Sequence, residues 1–120
     1  MKKWLWLSVV LISCGKPLPD LAPIDITQWK ADKGGCSNIR SATIQQLTQQ
    51  LEELKALSEG DVVKLLGRPD RNELYKRNQK FYYYDIEPGK ACSDSVKTSQ
   101  QLILRFNAMG LAKEVTIEDL

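Results

Sequence analysis

The chain contains no histidine. That removes the commonest general base and the commonest metal ligand at neutral pH, so catalysis would have to run on carboxylates or on a serine–lysine pair. Cysteine is scarce as well, at three residues, too few without histidine for the usual four-ligand zinc site. Long apolar runs are missing. The stretch from Trp4 to Ile12 is broken by Ser8 and falls well short of the roughly 20 apolar residues that cross a bilayer. Charge of one sign is missing too. The formal net charge is +2, but two of the 17 basic residues, Lys2 and Lys3, lie at the extreme N-terminus. Without them 15 bases face 15 acids, and a neutral domain has no electrostatic reason to bind nucleic acid.

What is present begins with a basic start, Met1-Lys2-Lys3, a short apolar core and the small residues Ser13 and Gly15 around Cys14. A basic region, a short apolar region and small residues at the cut describe a secretory signal peptide, residues 1–13. Leu11-Ile12-Ser13-Cys14 resembles the lipobox of bacterial lipoproteins, in which the cysteine is acylated and becomes the mature N-terminus. Two or more acyl chains give stable anchoring where one gives only marginal binding. The membrane is thus the first expected partner, reached through lipid on Cys14. Gly15 and Lys16 do not resemble the aspartate that retains some lipoproteins in the inner membrane, which favours an outer-membrane address. Residues 14–26, with Pro17, Pro19 and Pro23, read as a tether that could hold the domain roughly 35–40 Å from the lipid. The alternative is that its end packs on the domain through Ile24 and Ile26.

Residues 27–120 read as one α+β domain: two N-terminal helices packed on one face of a three- or four-stranded antiparallel sheet. The spacing of Ile44, Leu47, Leu51 and Leu54 predicts an amphipathic helix over Ser41 to Leu57. A shorter helix follows, with Ser58 as N-cap, Leu57 and Val62 as a hydrophobic staple, Gly67 as a left-handed C-cap and Pro69 as a stop. Then the period turns to two. Lys80 to Ile86, Gln101 to Phe106 and Lys113 to Glu118 read as strands, the last two joined by a turn at Asn107 to Gly110, and Glu73 to Lys76 as a short edge strand. Strand alternation assigns Tyr82, Tyr84 and Ile86 to the core.

In an exported protein the two cysteines that remain, Cys36 and Cys92, are expected to bridge. Closing a loop of about 55 residues contributes about 4 kcal/mol in the chain-entropy picture. A metal site would lack ligands and a reactive thiol would lack its histidine.

The stretch Ser58-Glu59-Gly60-Asp61-Val62-Val63-Lys64-Leu65-Leu66-Gly67-Arg68-Pro69-Asp70, then Tyr82-Tyr83-Tyr84, then Leu102 to Gly110 resembles the SmpA/OmlA (BamE-like) family of small bacterial lipoproteins. The resemblance covers roughly residues 57–118. It implies two helices against a three-stranded antiparallel sheet, a fold shared with β-lactamase-inhibitor-like domains, and a non-enzymatic adaptor or scaffold of an envelope complex serving outer-membrane assembly or stability. The cysteine pair, Trp29-Lys30-Ala31-Asp32 and the glutamine-rich helix depart from the barrel-assembly member, so the fold carries over better than the partner.

Alternation leaves Phe81, Tyr83, Ile103, Arg105, Glu114 and Thr116 on an uncovered sheet face. Aromatics beside arginine are enriched at protein interfaces, which makes this face the candidate docking site; plain cross-strand packing on a solvated sheet is the bland alternative. No cofactor is called for. Two other functions compete with the adaptor: an inhibitor or ligand-binding module of the β-lactamase-inhibitor type, and a hydrolase using Asp32, Asp85 and Asp94.

Overall fold

A computed structural model describes residues 17–90, 92, 93, 95 and 97–120. The leader, Cys14 and Asp94 lie outside the described residues. Among the described residues no helix is long and apolar enough to cross a membrane.

Among the described residues the helices run from Ile26 to Leu66 and the strands follow from Arg71 to Asp119. Helix α1, Ile26–Ala31, starts at Asp25, whose carboxylate accepts the Gln28 N–H at 3.2 Å. It exists to bury Trp29, which is fully enclosed. Ahead of it Leu21 and Ile24 are also core residues, so the packed body reaches back to Leu21, into the proline-containing segment. A 3-10 turn at Lys33–Gly35 leads to α2, Ile39–Ala42, then α3, Ile44–Gln49, and a second 3-10 turn, Leu51–Leu54.

The single helix expected over Ser41 to Leu57 is therefore broken twice. At Thr43 the hydroxyl and the N–H both turn back to the Arg40 carbonyl, at 3.0 and 3.1 Å, a local bond that competes with helix continuation. At Gln50 the side-chain amide is drawn to the carbonyls of Leu21 and Ala22, at 3.1 and 3.2 Å, and the backbone leaves helical geometry. The apolar stripe survives the breaks: Leu47 and Leu54 are buried, and Ile44 and Leu51 pack against the same core.

Helix α4, Glu59–Leu66, follows its sequence closely. The Ser58 hydroxyl accepts the Asp61 N–H at 3.1 Å, and Leu57 and Val62 close the staple, both at 0% exposure. Gly67 has the positive φ expected, 84°, but its ψ of −177° is extended rather than left-handed helical. The chain thus leaves α4 directly toward β1 instead of curling into a further turn.

Four strands form one antiparallel sheet in the order β1-β2-β3-β4: Arg71–Tyr75, Gln79–Asp85, Gln100–Phe106 and Ala112–Asp119. β1 and β2 are joined by a tight turn at Lys76–Asn78, and Arg77 and Asn78 both take positive φ. Tyr84, Leu102, Leu104, Phe106 and Val115 point to the helices and are buried. The Tyr84 hydroxyl donates to the Gly67 carbonyl at 2.8 Å, and the Tyr82 hydroxyl to Glu59 at 3.1 Å, fastening both ends of α4 to β2.

Candidate functional site

Among the described residues no helix covers the other sheet face. Period-two geometry places Phe81 and Tyr83 of β2, Ile103 and Arg105 of β3, and Glu114 and Thr116 of β4 side by side on it. The register makes them direct neighbours. Phe81 faces Arg105, Tyr83 faces Ile103, Arg105 faces Glu114 and Ile103 faces Thr116. The grouping expected from alternation is thus one contiguous patch. Its four central residues, Phe81, Tyr83, Ile103 and Arg105, are half-buried by one another.

Charge and aromatic contacts order the patch. The Arg105 guanidinium donates to Gln79 at 2.9 Å and to Glu114 at 2.6 Å. That hydrogen bond, with the charge behind it, holds the Glu114 carboxyl below the usual carboxylate range. Phe81 and Tyr83 stack with centroids 6.1 Å apart, and Tyr75 meets Phe81 edge-on at 5.6 Å. Arg71 lies over the Tyr83 ring at 5.2 Å, a cation–π contact. Partial burial, then the nearby Glu73, pushes the Tyr83 hydroxyl up from its ordinary value, with Arg71 opposing.

Sequence reasoning missed the β1 share of this face. Arg71, Glu73 and Tyr75 pair with Tyr83, Phe81 and Gln79, so they point the same way and lengthen the aromatic row. A polar five-residue strand with no apolar alternation leaves little signal of which side it presents.

The face ends where the β2–β3 connection folds over it. Asp85 and Gln101, on the same side of the sheet, are 3% and 4% exposed and bonded to each other at 3.1 Å. The connection is held by the Thr98 hydroxyl, which donates to the carbonyls of Glu87 and Gln100, and by a disulfide from Cys92 to Cys36 whose Cα atoms are 5.5 Å apart. Beneath it lies a cavity of about 380 Å³ edged by Arg71, Asp85, Lys90, Lys97 and Gln101.

Of the carboxylates considered for hydrolysis, Asp32 and Asp85 have structural partners, and Asp94 lies outside the described residues. Asp32 accepts the N–H groups of Ser37, Ile39 and Arg40 at 2.6 to 3.0 Å. Asp85 takes the Gln101 amide, with Arg71 at 3.7 Å. Among the described residues no group of three metal-binding side chains converges.

Also absent from the sequence reading is the buried cluster beside this end of the sheet. Arg40, 1% exposed, donates to Asp70 at 2.8 Å and to the carbonyls of Trp29 and Asp85 at 3.1 Å each. Asp70 in turn accepts the N–H groups of Gly34 and Asp85. A single arginine in a short polar stretch gives no sequence signal of such a role.

Comparison with curated proteins and with solved structures finds no match. A comparison with family models does. The matched segment runs from within α3 into β4 and takes in every residue of the open face named above, while Arg40 and Cys36 fall before it. Residues 45–116, more than half of the chain, match the outer membrane protein assembly factor BamE domain, and the chain belongs to that family.

Proposed function

We propose that the protein is a lipid-anchored, non-enzymatic adaptor of an envelope complex that serves outer-membrane protein assembly. Acyl chains on Cys14 hold it to the outer membrane after residues 1–13 are removed. The open face of Phe81, Tyr83, Ile103, Arg105 and Glu114 receives a protein of that complex.

One observation carries this reading. The segment that matches the assembly-factor family is the same segment whose register gathers two aromatics, an arginine and a glutamate into one uncovered patch. Interface cores favour aromatics and arginine, and a few such residues supply most of the binding energy. The family match also favours an adaptor over an inhibitor of the β-lactamase-inhibitor type, which would instead capture a soluble enzyme one to one.

The test is affinity purification from detergent extract, read by mass spectrometry. The wild type is expected to bring down an envelope complex and to show an acylated N-terminus at Cys14. Tyr83→Ala with Arg105→Ala should lose the partner while leaving the fold intact, because neither side chain is in the core. Cys14→Ser should stay unprocessed or leave the membrane fraction. An unchanged partner set in the first variant would remove the docking face, and normal maturation of the second would remove the anchor.

A further inference from the structure

The two edges of the sheet differ in how they are closed. At β4 the backbone of Ala112 is already taken: its C=O accepts from Ala56 and its N–H donates to Leu57, both at 2.8 Å. The register slips between Arg105 and Phe106 opposite this end. Lys113, Glu114, Glu118 and Asp119 line the strand with exposed charge. Bulges, covers and charges are the ordinary ways of blunting an edge against further pairing.

Among the described residues β1 has one neighbour, β2, and every residue from Arg71 to Tyr75 is exposed on both faces. Among the described residues no helix lies over it, and no proline interrupts it. Its outer row of N–H and C=O groups is therefore open to another strand. Leu74 and Tyr75 are 76% and 56% exposed, large apolar side chains at the end of a free edge. Around them the charge is mainly positive. Arg71, Lys76 and Arg77 stand against Glu73, and neither Lys76 nor Arg77 has a carboxylate within salt-bridge reach among the described residues.

We infer that β1 takes an extended, acidic segment of a partner protein as a fifth strand, beside the open face. In strand addition, main-chain hydrogen bonds give affinity and alternate side chains give selectivity. Cross-strand pairing specifies the segment: an acidic residue opposite Arg71, apolar or aromatic residues opposite Leu74 and Tyr75, and a base opposite Glu73, with a further acidic residue beside Lys76 where the strand enters its turn. A second copy of this chain fits poorly. Antiparallel pairing of β1 with itself about its centre sets Glu73 against Glu73, and like charges directly opposite are destabilising. The inference rests on the reading that a protein docks at this sheet, and it names the chemistry of the part that reaches the edge.

The experiment is amide hydrogen exchange on the full chain with the synthetic peptide Glu-Tyr-Val-Lys-Thr-Glu, which runs antiparallel to β1 from Lys76 to Arg71. Its charge-reversed partner is Lys-Tyr-Val-Glu-Thr-Lys. The acidic peptide is expected to slow exchange of alternate amides in Arg71–Tyr75 several-fold, with little change in β4. The reversed peptide should leave them unchanged, and Arg71→Gln should weaken the preference. No protection, equal protection by both peptides, or protection confined to β4 overturns the inference. So does protection that grows with protein concentration in the absence of peptide, which would assign the edge to a second copy. If Tyr83→Ala with Arg105→Ala loses its partner in purification while the β1 amides stay unprotected by the peptide, the face stands and the edge falls.

Discussion

Arg40 illustrates how much a single side chain can hold. Its guanidinium lies 4.2 Å from the Trp29 ring centre and 5.8 Å from that of Tyr84, and its fork ties α1, the α4–β1 connection and the end of β2 together. Removing one partner of a buried pair leaves an uncompensated charge, at a cost of about 3–5 kcal/mol. Arg40→Met is expected to lower the unfolding free energy by that amount, read as a drop in urea midpoint with the m-value unchanged. Arg40→Lys should fall well short of wild type, because an ammonium cannot make the same planar set of contacts. Tyr82 offers a second test. Partial burial, then the hydrogen bond to Glu59 and its charge, pushes the Tyr82 hydroxyl up to about 12. In the unfolded chain it ionises near 10, so the folded form keeps its proton longer. The stability that this one hydroxyl contributes is therefore full below pH 10 and declines as pH rises toward 12. Alkaline titration of tyrosine absorbance should lag in the folded protein, and Glu59→Gln should shorten the lag. The open-face residues could be read from the sequence because alternation alone sorts them; Arg40 could not, because its partners are all distant in the chain.

At the scale of the element, α4 shows local chemistry prevailing and the segment before it shows local chemistry overruled. Ser58 caps α4 through the Asp61 N–H, and Ser58→Ala is expected to cost about 1 kcal/mol, measurable as a shift in denaturant midpoint. Between Ile39 and Leu54 the apolar spacing suits one continuous helix. The backbone breaks at Thr43 and Gln50 because other acceptors are nearer than the next helical turn. Thr43 is a weak helix former, whereas Gln50 is a good one that its bonds to the Leu21 and Ala22 carbonyls overrule. The strands were legible for a different reason. Alternation over several residues in β2, β3 and β4 is imposed by a half-buried sheet, and their side chains take the sides it implies. β1 lacks that signal because neither of its faces is buried.

Over the whole molecule, the disulfide joins segments 56 residues apart and clamps the β2–β3 connection to the turn before α2. The loop closure it imposes on the unfolded chain is worth about 4 kcal/mol. Reduction, or Cys36→Ser with Cys92→Ser, is expected to lower the unfolding free energy by up to that amount, seen in urea melts with and without reductant. Loss of protection should be greatest around Asp85 and Thr98, which the clamped connection covers. Local pattern was enough to set the order of helix and strand, the α4 N-cap, the inward row of Tyr84, Leu102, Leu104 and Phe106, and the outward row that includes Phe81, Tyr83 and Arg105. Each of these follows from interactions between residues a few positions apart. Long-range packing was needed to bring Leu21 and Ile24 into the core, break the glutamine-rich helix, bury Arg40 and leave β1 uncovered by any described element at the edge. Those outcomes depend on contacts between segments far apart in the chain, where the partner that satisfies a polar group is set by packing and leaves no periodic trace in the sequence.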